Sequence, residues 1–576
     1  MSITNIKKNI IASCISIESI NPTDIIALLI PPPSPDLGDF ALPCFKLAKS
    51  LKMSPIMIAN DLANSITAKF PDKFLSVTPL NGYVNFKFDP IKSASFVLKE
   101  LLEKKSDFGN SLSGANKTIC IDYSSINIAK PLHIGHLSST IIGGALCKIY
   151  TKLGYKTIGI NHLGDWGTQF GKLIVAFDLW GDMQTLKKEQ ISFLSKIYVR
   201  FHEEAESRPE LIEQARAAFK KLEDGDQHAL ELYTIFKRIT LSEVKKIYKK
   251  LDINFDSYNG EAFFNDKMQP VLDELKKLNL TEISDGATVV NLSDYNMPPC
   301  ILIRSDGATL YATRDLAAAY YRKKKYNFHK CLYVVAYQQN LHFQQIFKVL
   351  ELAKKEWAQD MVHVQFGMVS VEDGAMATRK GNVILLKDVL VKAVDKSLSI
   401  LKEKSSKLKN KKLIAEKIGI GAVTFFTLSN SRIKDIVFSY DKILSFDGET
   451  GPYVQYTNVR AISVLKNLDV DLDTYFNNEL TIDELKGIDN KESAFLISLF
   501  EKFSDILNDV IDKYEPSILT RYLIDVAKGF NKFYLENRVL NAPSECKRAR
   551  VAVTYATHII LKEGLRLLGI GTPEEM

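Results

Sequence analysis

The 576-residue chain holds few cysteines, and none in a spacing that metal or disulfide chemistry uses. Cys14, Cys44, Cys120, Cys147, Cys300, Cys331 and Cys546 are scattered with no Cys-x-x-Cys pair. That argues against zinc and against a disulfide framework, and points to a reducing compartment. No apolar run approaches the roughly 20 residues that a membrane-spanning helix needs. The first residues, MSITNIKKNIIASCISIESI, have too many polar breaks for a signal peptide and no arginine for a transit peptide, so a cytoplasmic protein is expected. Excess charge is also small: +7 over this length permits a basic patch rather than a basic tail. The remainder, 46% hydrophobic and 25% charged, is ordinary for a globular chain of about four domains.

Against that background one stretch stands out, DYSSINIAKPLHIGHLSSTIIGGALCKIY, residues 122–150. Thr118–Tyr123 (TICIDY) reads as a strand, then a polar turn, then a helix. Pro131 suits the first helical position, Ile141–Tyr150 supplies the buried face, and Gly154 marks the stop. His133 and His136 share one face just inside the helix start, with Gly135 between them. Free backbone N–H groups and the positive end of the helix dipole favour a bound phosphate there. Two imidazole donors beside it can follow negative charge as it develops on a transferring phosphoryl group. Gly135 lets a flat base or ribose approach the backbone. Histidine pairs on helices are more often structural, but His-x-Gly-His placed directly after a strand favours the phosphate reading.

Residues 1–112 read as a small α/β domain. Pro31–Pro35 is a rigid break, PCFKLAKSLKMSPIMIANDLANSI is helical in pattern, and Tyr83–Phe88 alternates after an Asn81-Gly82 turn. Gly109–Asn116 is the linker to a segment spanning 113–434. A second strand, Lys156–Asn161, completes a βαβ unit and implies a parallel sheet with ligands at the carboxyl ends of its strands. Residues from about 178 to 275 are charged and helical, a solvated insertion between sheet halves. Farther on, Ser305–Gly307 makes a turn, Thr309–Ala312 a short strand, and Asp315 opens a helix, where its plain role is a cap or first-turn carboxylate. Leu332–Tyr337 and Val362–Val369 read as strands of a second half, the first followed by Gln339 and His342, and the latter fits core or site equally. A basic glycine loop spans Glu372–Asn382. From about 435 to 576 the pattern is wholly helical, with amphipathic runs Ser493–Lys513 and Ile518–Tyr534 that imply a bundle.

The stretch YSSINIAKPLHIGHLSSTIIGGAL resembles the signature of class I aminoacyl-tRNA synthetases, and its lead-in Ser-Ser-x-Asn-Ile-Ala-Lys-Pro resembles the arginyl family in particular. Ile126 stands where that family commonly has proline, and Ser138 where it has arginine; the second departure removes a cation near the phosphates. The resemblance runs from end to end, through Leu-Gly-Asp-Trp-Gly at 163–167, GPYVQYTNVRA, FNKFYLENRVL and the terminal LGIGTPEEM. It implies a Rossmann-type α/β nucleotide-binding catalytic domain, a small α/β N-terminal domain that contacts the outer corner of tRNA, and an all-α helical-bundle domain that binds the anticodon.

The same resemblance implies a ligase that activates L-arginine with ATP and Mg2+, without zinc, and transfers it to tRNA(Arg), acting as a monomer away from membranes. Lys130, His133, Gly135 and His136 would be catalytic. His342, Met368 and the loop residues Met376, Thr378, Arg379 and Lys380, a degenerate form of the mobile Lys-Met-Ser-Lys-Ser loop, would join His133 and His136 on ATP. Asp122, Ser124 and Asn127 would hold the α-amino end of arginine, with Gln339 facing the amino acid. Tyr311, Asp315 and Glu261 would hold the guanidinium, whose planar fork demands fixed carboxylate acceptors. Tyr453, Tyr456, Tyr534 and Met576 match positions near the anticodon loop, where unpaired bases are read by stacking. Two other readings stay open: a class I synthetase for a different amino acid, which an apolar pocket would favour, and a catalytically silent tRNA-binding paralogue.

Overall fold

A computed structural model of the chain describes residues 2–17, 20–371, 384–404 and 408–576. Near the amino terminus, β1 (Phe40–Pro43), β2 (Ser76–Leu80) and β3 (Tyr83–Lys87) form an antiparallel sheet in the order β1-β3-β2. Asn81 and Gly82 take φ values of +50° and +79°, so the Asn-Gly pair makes the tight β2–β3 turn its chemistry favours. The stretch expected to be one helix is broken at Lys52 (φ +52°). It restarts at Pro55–Lys69 because the Ser54 hydroxyl accepts from Met57 N and Pro55 fits the first helical position. This unit has its own core, around Phe40, Leu42, Val84 and Phe86.

The centre of the molecule is a parallel sheet. β4 (Thr118–Asp122) is followed by the helix Gly135–Lys152, here the signature helix, and by β5 (Lys156–Ile160). Helices from Thr168–Trp180 to Gln227–Lys250 make the insertion. A small antiparallel sheet, β6 (Glu282–Ser284), β7 (Ala287–Val290) and β8 (Cys300–Ile303), then leads into helix Tyr311–Tyr326, β9 (Lys330–Tyr333), helix Asn340–Leu352 and β10 (Met361–His363). The sheet order is β10-β9-β4-β5, with every neighbouring pair parallel. Alternation along β4 sends Ile119 and Ile121 into one core and Cys120 into the other, so both sheet faces are covered.

Several elements differ from the sequence reading. Thr309 only bridges Ile303 and the helix starts at Tyr311, so Thr309–Ala312 is not a strand. β9 ends at Tyr333, and the run 362–369 splits into β10 and β11 (Val369–Val371), with a single parallel bridge, Ala336–Phe366, carrying the β9–β10 register past the gap. The chain is not wholly helical from 435: β12 (Ile436–Phe438) pairs in parallel with β11. Beyond it the helices Gly451–Lys466, Lys491–Lys513, Ser517–Glu536 and Ser544–Leu567 form the bundle, whose core is continuous with one face of the central sheet. The far end of the signature helix is tied to the last of these by a Lys152–Glu563 ion pair of 2.9 Å, buried on both sides. No helix among the described residues is long and apolar enough to cross a membrane.

Candidate active site

The site is built on the turn between β4 and the signature helix. Ser124, Ser125 and Ala129 all have positive φ (+70°, +41° and +63°), a strained path that persists only where surroundings over-determine it. Here they do. Ser124 N donates to Ser139 Oγ at 2.8 Å, Ala129 N to Thr240 Oγ1 at 3.0 Å, and Ile128 N to Gly164 O at 3.1 Å. Asn161 donates to Tyr248 Oη at 2.8 Å, and that hydroxyl lies 2.7 Å from Ser124 Oγ. Of the three residues expected at the α-amino end, Asp122, Ser124 and Asn127, Asn127 is the exposed one.

Two expectations are corrected here. The resemblance places Asp122 at the α-amino group, but its carboxylate accepts from Arg322 Nη2 at 2.6 Å and from Ser125 Oγ at 2.8 Å, and the residue is buried. Ser124, likewise buried, has its hydroxyl engaged by Tyr248 and by Thr140 Oγ1 (2.9 Å). Both therefore shape the turn. Of the two family departures, Ile126 and Ser138 are also buried, so neither side chain faces the phosphate site.

The signature helix begins at Gly135, not at Pro131, because the backbone of residues 132–134 is paired with 384–386 and Ile134 turns into the helix as its cap (φ −55°, ψ −31°). Ile134 N donates to Ile384 O and Leu386 N to Leu132 O, with His133 bridged to Leu385. His133 accordingly precedes the helix while His136 lies within it. Their rings stack obliquely, centroids 4.0 Å apart. Gly135 N donates to His133 Nδ1 at 3.1 Å, which makes that nitrogen an acceptor and puts the proton on Nε2. His136 Nδ1 accepts from His133 N at 3.2 Å, with His133 O 3.3 Å away, and as an acceptor it leaves the proton on Nε2. Contrary to the expectation of free backbone N–H groups at the helix start, His136 N donates to His133 O and Leu137 N to Ile134 O. The imidazoles, rather than the backbone, are the donors on offer.

Burial lowers the pKa of both rings, His136 to about 3, with Lys130 adding to the effect on His133 and His133 to that on His136. Neutral imidazoles thus donate through Nε2–H. A Cβ on Gly135 would meet His133 Cε1 at 2.9 Å, so the ring packs where only glycine leaves room. Met368 is at the same place, its Cε 3.9 Å from that position. Lys130 Nζ sits 5.8 Å from the ring centroid of Tyr198 on the insertion. Met376, Thr378, Arg379 and Lys380 lie outside the described residues, which end at Val371 beside β12 and resume at Ile384 beside Ile134.

Across the carboxyl edge of the sheet, helix Tyr311–Tyr326 carries Tyr311, 65% exposed, and Asp315. Asp315 is the fifth residue of that helix and does not cap it; Leu310 stands at the cap without a side-chain bond. Its Oδ2 lies 2.6 Å from His342 Nε2, so the residue expected on the ATP side and the one expected on the arginine side are in direct contact. Burial pushes the Asp315 carboxyl up, but the His342 contact, with His162 and Arg322 beyond it, outweighs this and holds it below the usual value. Glu261 is buried, and burial lifts its pKa to about 7 even though Arg314 stands 4.0 Å away. Gln339, exposed, ends the turn after β9. Sequence reading missed Arg314, Arg322, His162 and Tyr248, which lie in unremarkable local patterns and become meaningful only through long-range packing.

In the bundle, Arg460 stacks on Tyr456 and Tyr534, 5.1 Å and 5.7 Å from their centroids, and donates to Asn531. Asn531 Nδ2 in turn donates to Tyr453 Oη at 2.9 Å. Tyr456 and Tyr534 are each 39% exposed, while the neighbouring Phe530 and Phe533 are core. Met576 packs at the edge of the bundle core.

A parallel sheet whose first crossover helix opens on His-x-Gly-His, facing carboxylates at the same sheet edge, defines the catalytic domain of a class I aminoacyl-tRNA synthetase. Residues 97–440 match the family of tRNA synthetases class I (R), catalytic domain; residues 4–88 match the arginyl tRNA synthetase N terminal domain, and 454–576 the DALR anticodon binding domain. The chain belongs to the arginyl-tRNA synthetase family. It is 49% identical to an arginine–tRNA ligase of Clostridioides difficile over 98% of its own length and 99% of that protein. It is 50% identical to one of Clostridium beijerinckii over 95% of each. The fold matches the Thermus thermophilus arginyl-tRNA synthetase with a TM-score of 0.80 at 24% identity, covering 95% of this chain and 96% of that one.

Proposed function

We propose that the protein activates L-arginine with ATP and transfers it to tRNA(Arg). An arginine carboxylate oxygen attacks the α-phosphorus, the bond to the bridging β-phosphate oxygen breaks, and arginyl-adenylate and pyrophosphate result. The ester then forms at the 3′-terminal ribose of the tRNA, releasing AMP. The observation that carries this reading is the pair of imidazoles whose Nδ1 atoms each accept from a backbone N–H, beside the carboxyl ends of the strands near which Asp315 and Glu261 also lie. His133 and His136 donate to phosphate oxygens as charge builds, and Mg2+ enters with the nucleotide as part of the substrate. Lys130, Met368 and the segment from Met376 to Lys380 complete the nucleotide side. No zinc is called for.

Asn127 and Gln339 hold the amino-acid end, and Tyr311, Asp315 and Glu261 the guanidinium, with His342 orienting Asp315. The acidic pocket favours arginine over an apolar amino acid. In the bundle, Tyr453, Tyr456, Tyr534 and Met576 attend the anticodon loop, with Arg460 as the shared support. In this reading the N-terminal domain reaches to about 112, the catalytic domain extends past β12, the bundle follows, and the enzyme works as a cytoplasmic monomer. ATP–pyrophosphate exchange measured with each amino acid, with and without tRNA, tests it. Arginine alone should support exchange, and exchange with any other amino acid in its place would refute the reading.

A further inference from the structure

Helix Tyr311–Tyr326 reaches both ends of the amino-acid site. Tyr311, Asp315 and Arg322 fall at i, i+4 and i+11, on one face. The first two lie at the end proposed to take the guanidinium. Arg322, two turns on, is 2% exposed, and its Nη2 is fixed to Asp122 Oδ2 at 2.6 Å. Asp122 is the last residue of β4 and, through Ser125 Oγ at 2.8 Å, holds the positive-φ turn that carries Asn127 and leads to the histidines. One ion pair therefore joins the element bearing the side-chain end of the pocket to the element bearing its backbone end.

The rest of the environment says that stability is not what this arginine supplies. Its Nε and Nη1 have no hydrogen-bond partner although buried; His162 Nδ1 is 3.4 Å from Nη2, and the Tyr333 ring lies 5.1 Å from the guanidinium carbon. A buried pair with orphaned donors gains little net free energy, because desolvation offsets the attraction, whereas it fixes geometry well. We propose that the Arg322–Asp122 pair is a length gauge for the substrate: it sets the separation between Asp315 and the Asn127 turn, and so selects arginine against guanidino amino acids one methylene shorter or longer. Arg322 is a positioning residue, since it acts through Asp122 and the helix rather than on the substrate. The inference rests on the reading that arginine is the amino acid activated.

The test is ATP–pyrophosphate exchange in the presence of tRNA(Arg) with arginine, 2-amino-4-guanidinobutyrate and homoarginine, using the full-length protein, Arg322→Lys, and the double variant Asp122→Asn/Arg322→Met. The double variant removes both charges, so neither is left buried and unpaired. The unaltered protein should prefer arginine by roughly 10–200-fold in kcat/KM over each homologue, the range one methylene commands. Both variants should lose most of that preference, to within about threefold, while KM for ATP stays within about twofold. A parallel fall for all three amino acids with the ratios intact would assign the pair a merely structural role and overturn the proposal. So would a double variant that no longer melts cooperatively. An unaltered protein that does not activate arginine would overturn the functional reading itself, and the gauge with it.

Discussion

Gly135→Ala separates the chemistry of the site from its stability. The new Cβ would stand 2.9 Å from His133 Cε1 and 3.0 Å from Nδ1. Carbon atoms settle near 3.5–4.0 Å, so the ring must withdraw by roughly half an ångström or more. The 3.1 Å bond from Gly135 N to His133 Nδ1, which sets the tautomer, cannot survive that shift. Loss of one pre-organised donor costs about 10²–10³ in kcat, or about 2.7–4 kcal/mol of transition-state stabilisation. Alanine gains up to about 1 kcal/mol over glycine in a helix, which offsets the local repacking. Exchange at saturating ATP and arginine should therefore fall by that factor, with the melting temperature within about 4 °C of the unaltered protein. His133→Ala supplies the control: if Gly135 acts through that ring, the double variant should be no slower than the slower single variant. Exchange within about threefold of normal, or fully additive losses, would refute the tautomer argument.

Asp315→Ala should raise KM for arginine by the equivalent of about 2–5 kcal/mol and leave KM for ATP nearly unchanged, measured by exchange; an unaltered arginine KM would remove Asp315 from the pocket. Acid should destabilise the fold through buried histidines. Burial depresses His136 from 6.5 to about 3 and His558 from 6.5 to about 4, with Lys562 adding to the second. Because the folded values lie below the unfolded one, stability is fully present above pH 6.5 and lost as pH falls toward them, about 2 kcal/mol per group by pH 5. Urea midpoints at pH 7.5 and 5 should show it, and His558→Gln should shrink the difference; an equal pH effect in that variant would count against it. Tyr456→Ala should weaken tRNA binding by about 1–3 kcal/mol, the worth of one stacked base, without changing arginine KM at saturating tRNA. Titration of labelled tRNA gives the answer, and unchanged affinity would return Tyr456 to the surface.

What the sequence makes legible here is local. His133 and His136 can be read because a spelling directly after a strand is a matter of neighbouring residues, and the βαβ order implies the parallel sheet. The tautomer cannot be read, because it depends on the direction of the Gly135 amide. Nor can the start of the helix, which is delayed to Gly135 by pairing with residues 384–386, far along the chain. Asp122 shows the limit most clearly. In the sequence it is a carboxylate at the carboxyl end of a strand, as a ligand would be. The arginine that takes it is 200 residues away on a helix whose packing no local pattern announces. Once that helix lies on β4, the acidic groups of the pocket are no longer equivalent. Asp122 faces the Arg322 guanidinium at 2.6 Å, and Asp315 faces the His342 imidazole at 2.6 Å. Glu261 has Arg314 at 4.0 Å and a carboxyl whose pKa burial lifts to about 7. An arriving guanidinium gains least at Asp122 and most at Glu261, which would ionise fully as the cation binds, so arginine binding should draw a proton out of the site.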